Sequence, residues 1–321
     1  MQSFEKLSAS FNDYFNKDHF PHQPSSLYDP NNYFLQLGGK RVRPVLCLMG
    51  NEMFDSISDS SWHVATAIEL FHNFTLIHDD IMDKAPLRRG KETVHIKYGD
   101  STALLAGDVM LVKAYEYLTK VDAGHLPAVL KLFNQTAREV CEGQQLDMDF
   151  EKMDSVSLSE YLKMIELKTS VLLAASLRLG AILGGAGQRN QELIYEFGRK
   201  LGLAFQVQDD YLDAFGDPDK FGKQVGGDIL ANKKTFLLIH ALQSSNESQR
   251  EALKLLLAEN REDKVEKVLA IYKACKVDQW ALELKDKFMS EALNHLDEIA
   301  LLSERKKPLE ELAYYLVKRE N

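Results

Sequence analysis

The chain reads as an all-α protein, a single-domain helical bundle over residues 1–321 with roughly ten or more helices around a deep central cavity. Three observations predict this class. Apolar residues recur at the spacing of a helix face through six long segments. No run of alternating β-branched residues offers a strand. No Pro- or Ser-rich linker or charge block divides the chain, and its eight prolines are too few to interrupt that many helices.

The first long segment, SSWHVATAIELFHNFTLIHDD, carries Val64, Ile68, Phe71, Thr75 and Ile77–His78 on a broad i, i+3/i+4 stripe. STALLAGDVMLVKAYEYLTK and LPAVLKLFNQTAREVCEGQQLDMDF follow with the same period. SLSEYLKMIELKTSVLLAASLRLGAIL opens with a capping-box pattern, Ser157 standing three positions ahead of Glu160. QRNQELIYEFGRKLGLAFQVQDDYLDAF and VDQWALELKDKFMSEALNHLDEIALL complete the set. The stops are APLRRGKET at 85–93 and GDPDKFGKQVGGD at 216–228. Glycines 184–187 read as a helix terminus, because a dinucleotide fingerprint needs a strand-turn-helix context. Helices this long enclose a cavity as readily as a core.

Composition narrows the chemistry. The formal net charge of -9 and the lack of a basic stripe argue against a nucleic-acid partner. An anionic ligand must therefore meet a local concentration of Lys and Arg. Cys47, Cys141 and Cys275 lie far apart without CxxC spacing, which disfavours disulfides and zinc and predicts a cytoplasmic protein. The opening MQSFEKLSASFNDYF lacks a basic-then-apolar signal pattern. The greasiest stretch, TSVLLAASLRLGAILGGAG, is interrupted by Arg178 and glycines, so an integral membrane protein is not expected.

The chemistry concentrates in two acidic clusters. Asp79, Asp80 and Asp83 end the first long helix; Asp209, Asp210 and Asp213 repeat the D-D-x-x-D spacing 130 positions later. On a helix Asp79 and Asp83 project from one face, with Asp80 offset by about a quarter-turn, and Asp209 and Asp213 do the same. Clustered carboxylates repel, and the C-terminal end of a helix dipole disfavours them further. A hard divalent cation relieves both costs, and magnesium is bound in this way, through a few carboxylates plus substrate phosphates. One such cluster would be an ordinary solvated helix end; two, each after an apolar helix and before a glycine-bearing loop, point to metal. Cations stand beside them: Arg88 and Arg89 after the first cluster, Lys40, Arg41 and Arg43 in GGKRVRP, and Lys223, Lys233 and Lys234 after the second. Two clusters facing one another across a greasy helical cavity suit a substrate with a diphosphate head and a hydrocarbon tail.

LIHDDIMDKAPLRRGKET, FQVQDDYLD, GGKRVRP and the pair Lys168–Thr169 in IELKTS together resemble the trans-isoprenyl diphosphate synthases, the polyprenyl synthetase family. The resemblance runs in order from about residue 35 to about 240. It implies the isoprenoid synthase type of all-α fold, three magnesium ions, a homodimer, and head-to-tail condensation of isopentenyl diphosphate with dimethylallyl, geranyl or farnesyl diphosphate. By this resemblance Asp79, Asp80, Asp83, Asp209, Asp210 and Asp213 hold metal. Arg88, Lys168, Lys223 and Lys233 hold the allylic diphosphate, with Lys233 preferred to Lys234 because the preceding loop looks one residue longer than in some relatives. Lys40, Arg43, His72 and Arg89 hold isopentenyl diphosphate, and Thr169 and Gln206 lie beside the developing allylic cation. An aromatic five positions before the first cluster limits growth in this family; Phe74 occupies that place, with Phe71 and Thr75 nearby. A C15 or C20 product follows, leaning to geranylgeranyl diphosphate. Glycine-rich 216–228 is a candidate closing element. A terpene cyclase would replace the second DDxxD by an Asn/Ser/Glu-type motif. A phosphohydrolase, suggested by His78–Asp79, lacks further histidine ligands. A silent regulatory subunit should have lost an aspartate or a phosphate-binding cation, and both sets are intact.

Overall fold

The structure, a computed structural model, describes residues 1–217, 225–259 and 261–317. Most of it is helical. In chain order the helices are α1 (Phe4–Phe15), α2 (Ser25–Gln36), α3 (Val42–Glu52), α4 (Asp59–Met82), α5 (Val94–Tyr98), α6 (Asp100–Leu118), α7 (Leu126–Lys152), α8 (Leu158–Ile165), α9 (Val171–Leu183) and α10 (Gln188–Phe215); α4 and α6 to α10 fall in the segments that apolar periodicity marks, while α1, α2, α3 and α5 lie outside them. After these come α11 (Gly227–Leu230), α12 (Phe236–Ser244), α13 (Glu247–Ala258), α14 (Lys264–Ala274), α15 (Val277–Glu298) and α16 (Ser303–Val317).

Local chemistry sets the helix ends. Ser58 accepts from Ser61 N at 3.2 Å and starts α4. The capping box predicted at the start of α8 is present: Ser157 Oγ accepts from Glu160 N at 3.2 Å, and Ser157 N donates to Glu160 Oε2 at 2.8 Å. The glycine-rich stretch after α9 is the helix terminus that its composition indicates.

Two departures from the sequence reading matter locally. The 85–93 stop contains a minimal antiparallel hairpin, Leu87–Arg88 with Lys91–Glu92, whose turn puts Arg89 and Gly90 at positive φ. The single helix expected from residue 158 onward is interrupted by a π-helical turn, Glu166–Ser170. Periodicity carries no mark of such a turn, since it adds one residue to a helix whose flanks keep their apolar face.

The chain divides into two compact units, residues 1–133 with 176–191, and residues 134–175 with 192–321. In the first, α4 packs on α3 and α6, burying Val64, Ala67, Ile68 and Phe71. Phe71 meets Phe133 edge-on, with centroids 5.3 Å apart; full burial of such a side chain contributes ~1.5–3 kcal/mol. In the second, Phe236 lies between Tyr161 and Trp280, and Trp280 stacks on His240 at 3.8 Å. Among the described residues no helix is long and apolar enough to cross a membrane.

Candidate active site

In the first unit the three aspartates of the first cluster do not share one environment. α4 ends at Met82, and Asp83 caps it, its N–H donating to Asp79 O at 2.8 Å. Asp80 is only 1% exposed and faces inward. Arg88, carried back by the hairpin, grips it through Nε to Oδ2 and Nη2 to Oδ1, each at 2.8 Å. This bidentate pair neutralises the middle carboxylate. It also turns the Arg88 guanidinium toward the cluster, with Nη2 3.8 Å from Asp79. Asp79 and Asp83 keep exposed surface.

The basic residues of this unit gather near the start of α3. Arg43 Nη1 lies 3.1 Å from His72 Nε2, so the ring accepts there and carries its proton on Nδ1. Burial, then Arg43, Arg89, Arg88 and Arg41, hold His72 well below the usual imidazole range, and the ring is neutral. Burial also lowers Arg43, to about 10, against an opposing effect of Glu69. Arg43 Nε is buried with no hydrogen-bond partner among the described residues. The Arg89 guanidinium rests against Gly39, where a Cβ would meet Nη2 at 3.0 Å. Lys40 is exposed. Arg41 differs from its neighbours: it is committed to a buried ion pair with Glu69. Of the chain-length residues, Phe71 is core, Phe74 is half-buried with its ring 4.7 Å from His78, and Thr75 Oγ1 donates to His72 O at 2.8 Å.

The second unit holds a cavity of about 550 Å³. Lys168, Thr169, Gln206, Asp209, Asp210, Asp213, Lys233 and Lys234 all line it. Asp147, Tyr161 and Asp228 are among the wall residues that the sequence reading did not single out. Asp147 had a faint signal, standing four positions after Gly143 and four before Glu151 on one face of α7. Asp228 had another, as the acid closing the GGD turn. Tyr161 had none. Lys223 and residues 218–224 of the expected closing element lie outside the described residues.

The π-turn is what aims Lys168 and Thr169 into this cavity. Two glycines let neighbouring helices clasp it. A Cβ on Gly143 of α7 would stand 2.3 Å from Lys168 N, and one on Gly202 of α10 would stand 2.7 Å from Ser170 Cα. Arg199 pins the start of the turn by pairing with Glu166. Lys168 Nζ then reaches Asp147 Oδ2 at 2.6 Å.

The second cluster repeats the division seen in the first. Asp209 is exposed and Asp213 half-buried, while the middle residue, Asp210, is 5% exposed. Tyr161 OH donates to Asp210 Oδ2 at 2.5 Å and Gln206 Nε2 to Oδ1 at 2.8 Å. Thr169 Oγ1 lies 3.4 Å from Gln206 Oε1. Here the partners are neutral. Burial pushes Asp210 up to about 8, with Asp228 and Asp209 adding to the rise and the Tyr161 and Gln206 hydrogen bonds opposing it. Asp228 is also raised, first by burial, with Lys233 opposing and Asp213, Asp209 and Asp147 reinforcing. Asp213 Oδ2 accepts from Asp228 N at 3.0 Å, which ties the cluster to α11. Lys233 Nζ stands 3.7 Å from Asp228 Oδ1. Lys234 instead donates to Phe150 O at 2.8 Å and Glu151 O at 3.2 Å, satisfying carbonyls at the end of α7.

A pH dependence follows. Asp210 titrates near 3.8 when unfolded and near 8 in the metal-free fold, so the folded state holds more protons between these values. Stability of metal-free protein is therefore expected to fall as pH rises from about 4 to about 8, and Asp210→Asn to flatten that slope. Thermal melts in chelator across that range test this; a slope unchanged in the variant contradicts it.

The donor set suits a hard cation. Six carboxylates line the cavity, Asp147, Glu151, Asp209, Asp210, Asp213 and Asp228, against three lysines, leaving an excess of oxygen ligands and negative charge. Among the described residues no three His, Cys, Asp or Glu side chains converge to cage an ion unaided. Carboxylate oxygens of this kind bind magnesium when substrate phosphates complete its shell.

An all-α chain whose carboxylate-lined cavity is edged by lysines has the architecture of the prenyl synthases. A solved geranylgeranyl pyrophosphate synthase superposes with a TM-score of 0.95 at 43% identity, covering 100% of both chains. The family model for polyprenyl synthetase matches residues 24–275. The geranylgeranyl diphosphate synthase of Methanosarcina mazei is 44% identical over 69% of each chain, and that of Sulfolobus acidocaldarius is 35% identical over 98% of this chain and 97% of its own. The chain belongs to the polyprenyl synthetase family. It is a trans-prenyltransferase of the short-chain class.

Proposed function

We propose that the enzyme condenses isopentenyl diphosphate head-to-tail with dimethylallyl, geranyl or farnesyl diphosphate, and that geranylgeranyl diphosphate is its main product. The observation that carries this reading is the second-unit cavity, where Asp209, Asp213 and Asp228 stand with Lys168 and Lys233. Bound magnesium, three ions by family resemblance, would be held by Asp79 and Asp83 of the first cluster and Asp209 and Asp213 of the second, and supplies Lewis-acid neutralisation of the leaving diphosphate. Lys168 and Lys233 add fixed positive charge where that diphosphate collects its negative charge. Thr169 and Gln206 turn oxygen dipoles toward the allylic carbon as it becomes cationic. Asp80 and Asp210 act from behind, each shaping its cluster through protein hydrogen bonds. Arg43, with its uncommitted Nε, the neutral His72, Arg89 and Lys40 make an anion site suited to isopentenyl diphosphate. No side chain stands out as a strong base, and the released diphosphate takes the proton lost after addition.

The product length rests on Phe74 and on the named product of both relatives. Phe71 is locked in the core and the Thr75 hydroxyl is tied to its own helix, so Phe74 is the side chain left to stop the growing tail. Phe74→Ala is expected to shift the main product upward by at least one C5 unit in chain-length analysis. An identical product profile would remove Phe74 from this role.

The enzyme is further proposed to be a cytoplasmic homodimer. Its cysteines are all free thiols, and α6 exposes Leu104, Leu105 and Val112 on one stripe, a face a second copy would cover. Sedimentation at micromolar concentration should give twice the 36.5 kDa chain mass, and Leu105→Glu should return it to one. A wild-type monomer overturns this. The assay for the reaction itself is purified protein with magnesium, labelled isopentenyl diphosphate and each allylic starter. Incorporation into a C20 product is expected, and no consumption of isopentenyl diphosphate would favour a silent subunit.

A further inference from the structure

Lys264, in the first turn of α14, is among the largest fully buried side chains of the protein, at 2% exposure. Lysine is almost never buried to this degree without a partner, because removing an amino group from water is costly. Among the described residues its one partner is the side-chain amide of Asn232, with Nζ donating to Oδ1 at 2.7 Å. A position needing only volume would be filled at lower cost by methionine or leucine. What the amino group holds is the informative part.

Asn232 occupies a left-handed turn, φ 55°, a conformation asparagine tolerates better than most residues. The turn is closed by Asn232 N on Ile229 O at 3.2 Å and Lys233 N on Asp228 O at 2.9 Å. Asp228 and Lys233, at its two ends, both line the carboxylate cavity, as does Asn232 itself. The residue after Lys264 closes the turn from the same side: a Cβ on Gly226 would meet Val265 Cγ1 at 2.5 Å. The first turn of α14 is thus a platform beneath residues 226–233.

We propose that Lys264, which lies in neither aspartate motif, is a positioning residue that fixes the Asp228–Lys233 turn by holding the Asn232 amide, and so sets how the cavity receives a magnesium-bound diphosphate. The inference rests on the function proposed above.

The test compares Lys264→Met, Lys264→Arg and Asn232→Gly with wild type. Asn232→Gly tolerates the positive φ and removes the side-chain amide that Lys264 holds. Lys264→Met is expected to raise the KM for the allylic diphosphate and weaken calorimetric binding of magnesium pyrophosphate about tenfold, the worth of one charge-assisted hydrogen bond, with the KM for isopentenyl diphosphate unchanged. Lys264→Arg should restore most of the loss. Asn232→Gly should reproduce it, and the Met/Gly double variant should be no worse than either. A lowered Tm with unchanged KM and pyrophosphate binding, or losses that multiply in the double variant, would overturn the proposal. If Lys264→Met does not fold, Asn232→Gly decides alone. Failure of wild-type protein to consume isopentenyl diphosphate would instead sink the proposed function, and the pyrophosphate arm would still judge Lys264.

Discussion

Asp209→Asn is expected to lower kcat by about 10²–10³-fold while leaving the fold intact, the loss typical of removing one fixed electrostatic contact to a transition state. Asp209 is exposed on the cavity wall, where an amide of the same shape is accommodated without overpacking. Asp79→Asn at the first cluster should do the same to kcat. Steady-state kinetics at saturating magnesium, with melting curves beside them, check both. A variant with wild-type kcat would show that its cluster takes no part in the chemistry. The parallel exchange of the middle residues separates the roles. Asp80→Asn leaves the half-buried Arg88 without its charged bidentate acceptor, so its first effect should be on stability.

Gly143→Ala is the second large effect. The added methyl would meet the backbone at Lys168 N and, at 2.7 Å, at Leu167 C, and backbone cannot swing aside as a side-chain tip can. The π-turn must retreat, and displacement by about 1 Å of a group that positions substrate can cost ~10²-fold in rate. Overpacking of this kind also costs ~1–3 kcal/mol of stability. We expect kcat/KM for the allylic substrate to drop by about that hundredfold, together with a lower Tm. Gly124→Ala, where nothing lies within 4 Å of the new methyl, should be silent in both measurements. Wild-type kinetics in Gly143→Ala would show that the turn does not depend on this clasp for its aim.

These two cases also mark what the sequence could and could not disclose. The long helices were legible because a buried face imposes a 3.6-residue period, and the aspartate clusters because six carboxylates at a repeated spacing have no cheap structural explanation. The capping box at Ser157 was legible for the same local reason. The π-turn was not, since it is produced by close helix approach at Gly143 and Gly202, and a glycine in a helix has many other uses. Nor was the separation of each cluster into a pinned middle aspartate and an open outer pair. Spacing places Asp80 and Asp210 at an angle to their neighbours, but Arg88 arrives by a hairpin and Tyr161 from a residue 49 positions away. Asp147 and Asp228 escaped because the signal of each, a helix-face spacing and a glycine turn, is shared by many acids with no part in a site. Lys233 and Lys234 are adjacent in sequence with identical chemistry; loop length alone favoured Lys233, and the fold sends Lys233 toward Asp228 and Lys234 to the carbonyls ending α7.

The proposed function requires both aspartate clusters to act on one diphosphate through shared divalent ions. A double-mutant cycle measures this most directly, using magnesium-dependent binding of farnesyl thiolodiphosphate, which resists ionisation, to wild type, Asp79→Asn, Asp209→Asn and the pair combined. The account predicts that each single exchange removes most of the magnesium-dependent affinity and that the double exchange removes little more. Losses that simply add, or a cluster whose exchange leaves affinity untouched, would mean the two groups of aspartates serve separate ligands.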